Sequence, residues 1–354
     1  MLAARARVPD PAGAPRQAKS LRHGLWPMGT GRSACATCYM TACLVCGHAG
    51  SRALFAATDR LYETTAREFQ IVACEGCGLM RLDPQPAPED LRLYYPAHYW
   101  YTPDDSLAGG LEENFRRLVL RDHVRFVSRA VAASGEIGPV LDVGCGGGLF
   151  PRMLRKRGLP AIGLDFSPEA AAVAWHTNGV PAICGDLARA PLASGACAAI
   201  TMFHVLEHLY DPRAYLESAR SLLKPNGRLI VQVPNAACWQ FRLLGSRWNG
   251  MDVPRHLVDF RARDLGTLLS AAGFEVLRRK YFSLRDNPAG LAISLAPTLD
   301  PMARRVRGLP ETPRVKLLKD LAHFTLWAAA IPFTLLEAAF QAGSTIMIEA
   351  RKKP

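Results

Sequence analysis

The sequence predicts an α/β fold built on a doubly wound sheet, and three observations predict it. Short apolar runs at 139–143, 161–164, 180–184, 198–203 and 228–233 are separated by stretches of helical periodicity, the pattern of parallel strands joined by crossover helices. The first run passes directly into a glycine-rich turn, Gly144-Cys-Gly146-Gly-Gly148. The next three runs stop at polar residues, Asp165, Gly185-Asp186 and His204, where open α/β sheets bind their ligands. The sheet is completed by an edge strand at 273–278 and a partner at 343–351, giving seven strands with an antiparallel last hairpin.

Taken from its start, the chain of 354 residues has room for one such domain and a smaller companion. Its 49% hydrophobic and 21% charged residues are those of a globular protein. The net charge of +12 is concentrated in the tails. Residues 1–39 are basic, rich in Ala, Arg, Gly and Pro, and without periodicity, so they read as a disordered extension. Structure begins just after Met40, which is therefore the expected translation start; an intact native mass that includes residue 1 would contradict this. The middle of the chain is near neutral, which argues against a nucleic-acid groove across it.

Residues 40–82 read as a ribbon around two matched knuckles, Cys43-Leu-Val-Cys46-Gly47 and Cys74-Glu-Gly-Cys77-Gly78. Each glycine permits the turn that aims backbone N–H groups at sulfur, and four thiolates can close a tetrahedral site. Cys43, Cys46, Cys74 and Cys77 are thus the expected ligands of a structural zinc, whereas Cys35 and Cys38 lack the glycine. Paired thiols of this kind suit a reducing cytoplasm. Residues 83–134 hold a Pro-rich hinge, an aromatic cluster (Tyr94, Tyr95, Tyr99, Trp100, Tyr101) and a helix at 111–133. The cluster is expected chiefly to pack the ribbon on the main domain, with lining of a ligand pocket as the second reading.

Residues 135–283 carry the chemistry. A dinucleotide loop places Gly or Ala where this chain has Leu149, and Asp142 at the strand end would repel a pyrophosphate. An acid there suits a cationic ligand with an amino-acid head. The pattern Asp142-x-Gly144-x-Gly146-x-Gly148, followed in order by Asp165 and Asp186, resembles the motifs of class I S-adenosylmethionine-dependent methyltransferases over about residues 138–283. The resemblance implies that the glycines cradle the cofactor, Asp165 meets its ribose hydroxyls and Asp186 its adenine amino group. His204-Val-Leu-Glu207-His208 follows the fourth strand, and Asp211-Pro212 caps the next helix, so the segment is a loop and not a helical zinc-protease motif. It is similar to the corresponding segment of ubiquinone-pathway O-methyltransferases, in which such residues help hold a divalent ion, although His204 stands here where an acid is common. His204 is then expected against the cofactor's methionine part, with Glu207 and His208 facing the acceptor. In the loop 248–257, Arg255 or His256 is expected to bind an anionic group or take a proton.

Residues 284–342 form a helical insertion before the last strand, 343–354. It has a basic run, 304–319, and an apolar stretch broken by Pro332 and Glu337. The uncharged part, 324–336, falls short of the about 20 residues that span a bilayer. A cap packed on the domain is the first expectation, and an interfacial helix pair across 304–340 the second.

Together these features look like those of the bacterial zinc-ribbon methyltransferases that modify glycans, lipids or small molecules. The expected reaction is O-methylation of a small-molecule, glycan or lipid-linked acceptor by a cytoplasmic enzyme, peripheral to a membrane if the insertion docks. A catalytically inactive S-adenosylmethionine-binding ribbon protein and a nicotinamide-dependent oxidoreductase are the alternatives.

Overall fold

The computed structural model describes residues 42–95 and 107–353. Cys35, Cys38, Tyr99, Trp100 and Tyr101 lie outside them. The described chain carries two sheets. The smaller is built from β1 (Ser51–Ala57), β2 (Phe69–Cys74) and β3 (Met80–Leu82). A short helix α1 (Pro88–Leu91), then α2 (Leu107–Val119) and α3 (Arg121–Ser134), lead to the larger sheet. The helix expected over 111–133 is therefore two helices meeting at Leu120, with α3 closed by Gly135 at φ 69°.

Five strands run parallel: β4 (Val140–Val143), β5 (Ala161–Asp165), β6 (Ala182–Cys184), β7 (Cys197–Phe203) and β8 (Leu223–Pro234). The helices between them are α4 (Leu149–Arg155), α5 (Pro168–His176) and α6 (Pro212–Leu222). Starts are fixed by local chemistry: Ser167 and Asp211 accept from Ala170 N–H and Ala214 N–H, each with proline at the first helical position. Then come α7 (Trp239–Leu244), β9 (Val258–Asp259), α8 (Ala262–Ala271) and β10 (Phe274–Lys280). The insertion supplies α9 (Asn287–Leu295), α10 (Pro301–Val306) and α11 (Pro313–Ala339) before β11 (Thr345–Lys352). The order across the sheet is β10-β11-β8-β7-β4-β5-β6, with β11 antiparallel to both neighbours. This is the predicted seven-stranded sheet with its antiparallel hairpin.

The smaller sheet takes its fourth strand, β9, from a segment that follows β8 in the chain: Met80 pairs with Asp259 and Arg81 with Val258. Ile71, Leu79 and Leu82 belong to the same apolar core as Val231, Leu257 and Ile348. A buried ion cluster reinforces the joint. Arg255, wholly buried, donates to Asp59 at 2.7 and 3.0 Å, to Asp252 at 2.8 Å and to the Tyr94 carbonyl at 2.9 Å. Its guanidinium also lies 4.5 Å over the Tyr62 ring.

The insertion is helical and packs on the domain, the first expectation, with one long helix, α11, where the second reading had a pair. α11 runs through Pro332 and buries Trp327, Ala330, Thr334 and Glu337. Trp327 stands edge-on to Phe115, and the Glu337 carboxylate accepts from Gln240 N–H and Nε2.

Candidate active site

At the carboxyl end of β4 the chain turns with three glycines in the left-handed region, Gly144 at φ 72°, Gly146 at 51° and Gly148 at 79°. A Cβ at Gly144 would stand 2.8 Å from Val205, and one at Gly148 2.8 Å from Ala174, so packing demands glycine at both. At Gly146 a Cβ would meet nothing within 4 Å: the space above this residue is open to a ligand. Gly146 N–H donates to Asp165 Oδ2 at 2.8 Å, tying the turn to the end of β5.

Two buried acids stand behind this loop. Burial pushes Asp142 up to about 7 against the 2.6 Å hydrogen bond from Thr201, and the nearby charge of Asp165 adds to the rise. Burial also raises Asp165, although Ser167 N–H and Gly146 N–H donate to it. Two desolvated carboxylates with elevated affinity for protons are a site that a cation relieves. The open space over Gly146, with the buried Asp142 behind it, therefore fits a ligand that carries a cationic head. Asp186 is exposed and caps the turn at 187–189 through Ala188 N–H.

Beyond β7, His204 adopts φ 57°, a strained backbone for a residue with a Cβ. Its Nδ1 lies 3.2 Å from Glu207, and its Nε2 lies 2.9 Å from the Gln232 amide and 3.5 Å from Asp286. Burial disfavours the His204 cation, yet the charge of Asp286 and the contact with Glu207 outweigh burial and raise the pKa to about 9. Glu207 is 1% exposed; burial works against its charge, but His204 holds it below the ordinary glutamate range, and its Oε2 has no partner. His208 Nδ1–H donates to the Arg255 carbonyl at 3.0 Å, with Tyr95 Oη 2.9 Å from the same nitrogen. Burial and the adjacent His256 push His208 down to about 4. His256 Nδ1–H donates to the Gly250 carbonyl at 2.8 Å, and the two imidazoles stand 4.6 Å apart. Main-chain carbonyls thus claim Nδ1 of both rings, which leaves Nε2 of each for a further contact; that of His256 lies 3.9 Å from Asp252. Ligand atoms of Glu207, His208 and His256 lie within 4.8 Å of one another.

The structure brings His204, Glu207, His208 and His256 together and separates Arg255 from them. The expectation that Arg255 binds an anionic group does not hold: every arm of its guanidinium is occupied by Asp59, Asp252 and Tyr94, and only its carbonyl faces the site. The aromatic cluster divides, Tyr94 meeting Phe69 of the small sheet edge-on and Tyr95 reaching His208. Sequence reasoning missed Asp286 and Asp259. Asp259 is buried without a partner for either carboxylate oxygen, and burial beside Glu207 raises its pKa well above the ordinary range. An acid inside the apolar run Leu257-Val-Asp-Phe260 was the available signal.

The four cysteine sulfurs meet at the other end of the small sheet. Cys43 and Cys77 Sγ are 3.6 Å apart, and Cys46 and Cys74 Sγ are 3.5 Å apart. The two knuckles repeat one turn: Gly47 N–H donates to the Cys43 carbonyl and Gly78 N–H to that of Cys74, with both glycines left-handed.

A parallel sheet ending in an antiparallel hairpin, with a left-handed glycine cradle after its first strand, defines the class I methyltransferase fold. A family model described as a methyltransferase domain matches residues 112–279. The ubiquinone biosynthesis O-methyltransferase of Chromobacterium violaceum is 29% identical over 215 residues, covering 54% of this chain and 89% of that protein. That of Pseudomonas paraeruginosa is 30% identical over 189 residues, covering 50% of this chain and 80% of its own length. Among solved structures, an S-adenosylmethionine-dependent methyltransferase from Archaeoglobus fulgidus aligns with a TM-score of 0.44 at 17% identity, over 70% of this chain and all of that one. The chain belongs to the S-adenosylmethionine-dependent methyltransferases. The nicotinamide alternative falls, and S-adenosylmethionine is the cofactor.

Proposed function

We propose that this enzyme methylates a hydroxyl of a small-molecule acceptor. The observation that carries the reading is the pair His208 and His256, each held by a main-chain carbonyl and grouped with the buried, ionised Glu207, on a segment whose Val205 packs against Gly144 of the cofactor loop. The names of the ubiquinone-pathway relatives support the same acceptor chemistry.

In the proposed reaction the acceptor oxygen attacks the methyl carbon in line with the sulfonium. The C–O bond forms as the C–S bond breaks, S-adenosylhomocysteine leaves, and the hydroxyl proton passes to an imidazole Nε2. Gly144, Gly146 and Gly148 cradle the cofactor, Asp142 faces its cationic head, Asp165 its ribose and Asp186 its adenine, while His204 borders the methionine part. Alignment of two reactants in a desolvated site supplies most of the acceleration. In place of that proton acceptor, Glu207 and the Nε2 atoms of His208 and His256 would hold a divalent cation, with the carbonyls on their Nδ1 atoms as outer contacts, and the cation would lower the pKa of a bound hydroxyl.

Replacing His256 with Ala is expected to lower turnover about 10²- to 10⁴-fold with S-adenosylhomocysteine affinity intact. Mass spectrometry with catechol-type, amine and carbon-nucleophile acceptors checks the chemistry: an O-methyl product supports the reading, and transfer only to amines or carbon refutes it.

We also propose that Cys43, Cys46, Cys74 and Cys77 hold a structural zinc. The sulfur separations approach the about 3.8 Å edge of a tetrahedron with Zn–S bonds near 2.3 Å. Chelation is expected to lower the melting temperature and to release zinc stoichiometrically with the ribbon's unfolding; protein purified without metal and melting unchanged would end the idea.

A further inference from the structure

The insertion carries a surface that methyl transfer does not use. On α11 the one acid of the apolar stretch, Glu337, points inward to Gln240, while the outward face is hydrocarbon. Leu317, Leu318, Leu321, Leu335, Leu336 and Phe340 are each between 49% and 66% exposed. From Leu321 to Phe340 the exposed positions hold only Leu, Ala, Phe, Pro and one Thr. A helix that faces water on one side carries the reverse pattern, with its charges outward. A contiguous apolar surface of this size marks a membrane or partner contact.

The charge at its end chooses between those. Arg314 and Lys316 are exposed in the first turn of α11, and Arg314 precedes Leu317 and Leu318 by one turn on the same face. Cations at the rim of an uncharged face match anionic headgroups, whereas a protein partner would need polar groups along the face to fix its register, and there is only Thr325. α11 is 27 residues long, and an 18-residue window of it has the mean hydropathy, 1.3, of a bilayer-crossing helix. Its inner face is fastened along its length, by Trp327 on Phe115 and by Glu337 on Gln240, so it stays on the protein. We propose that the outward face of α11, with Arg314 and Lys316 at its rim, lies in the interfacial plane of an anionic lipid bilayer. The insertion that would rest there is also the one whose Asp286, just before α9, stands beside His204.

Flotation of the full chain with phosphatidylcholine vesicles, with and without phosphatidylglycerol, tests this without any turnover, so its outcome is independent of the acceptor chemistry. The protein is expected to float with the mixed vesicles and far less with phosphatidylcholine alone. The triple variant Leu318→Glu, Leu321→Glu, Leu336→Glu is expected to bind at least about tenfold more weakly. Arg314→Glu with Lys316→Glu is expected to lose the phosphatidylglycerol-dependent share, about fivefold for each cation. S-adenosylhomocysteine affinity and melting temperature report that both variants are folded; should the triple variant unfold, Leu318→Glu alone is read. No flotation of the unaltered chain, or equal flotation of the folded variants, overturns the proposal. So does a concentration-dependent dimer that the apolar variant dissolves in the absence of flotation, because the occupant is then a second copy.

Discussion

Gly146→Val is expected to remove S-adenosylmethionine binding while the protein stays folded. The left-handed backbone at this residue costs a side chain about 1–2 kcal/mol, which a domain of this size withstands. The loss falls on the ligand, because the space that the isopropyl group would fill is the open space over the cradle. A decrease in affinity of at least about 100-fold, near 2.7 kcal/mol, is the expected reading by calorimetry. Asp165→Ala should do the same through a different atom, since Asp165 fixes the turn through Gly146 N–H. Titration of the unaltered chain with S-adenosylmethionine, S-adenosylhomocysteine and NAD sets the baseline, with binding expected from the first two. Unchanged affinity in both variants would place the cofactor elsewhere.

Arg255→Met is expected to produce the largest loss of stability. It strands Asp59 and Asp252 in the interior without their shared counter-charge, and breaking a buried pair costs about 3–5 kcal/mol. The pH dependence gives this cluster a signature. Burial works against the charge of both carboxylates, yet Arg255 holds them below the ordinary aspartate range. A group with a depressed folded pKa contributes stability above its unfolded value, near 4, and loses it as pH falls through the folded pKa. The unaltered protein should therefore lose melting temperature steeply below about pH 4. In Arg255→Met the acids are unpaired, so the gap between the two proteins should narrow as the acids protonate. Adding Asp59→Asn to Arg255→Met should recover part of the loss; a strictly additive cycle would mean that the two residues do not interact.

Where one short segment holds both the geometry and the chemistry, the sequence was informative. The cradle, the strand ends at Asp165 and Asp186, the paired Cys-x-x-Cys-Gly knuckles and the insertion before the last strand all read directly, because each depends on residues within a few positions of one another. What escaped were partnerships made by folding. Nothing near Arg255 in the chain reveals that Asp59 will close around it, and the same distance hid Asp286 beside His204 and Asp259 beside Glu207. Pro332 suggested a break in the insertion, but it lies within the continuous helix α11. The helix at 111–133 looked continuous in pattern, and nothing in its periodicity marked the interruption at Leu120.

The pairing of β3 with β9 also imposes an order on synthesis. Met80 leaves the ribosome long before its partner Asp259 exists. At about 5–20 residues per second the interval is roughly 10–40 seconds. Throughout it the cysteine-bearing strands present an open edge, and Arg255, which will neutralise Asp59, is also still to come. The smaller sheet is thus begun well before the larger one and completed only after the five parallel strands of the larger sheet exist. A nascent chain stopped between the two strands is the species on which chaperones, or metal delivered early to the four thiols, would have the greatest influence.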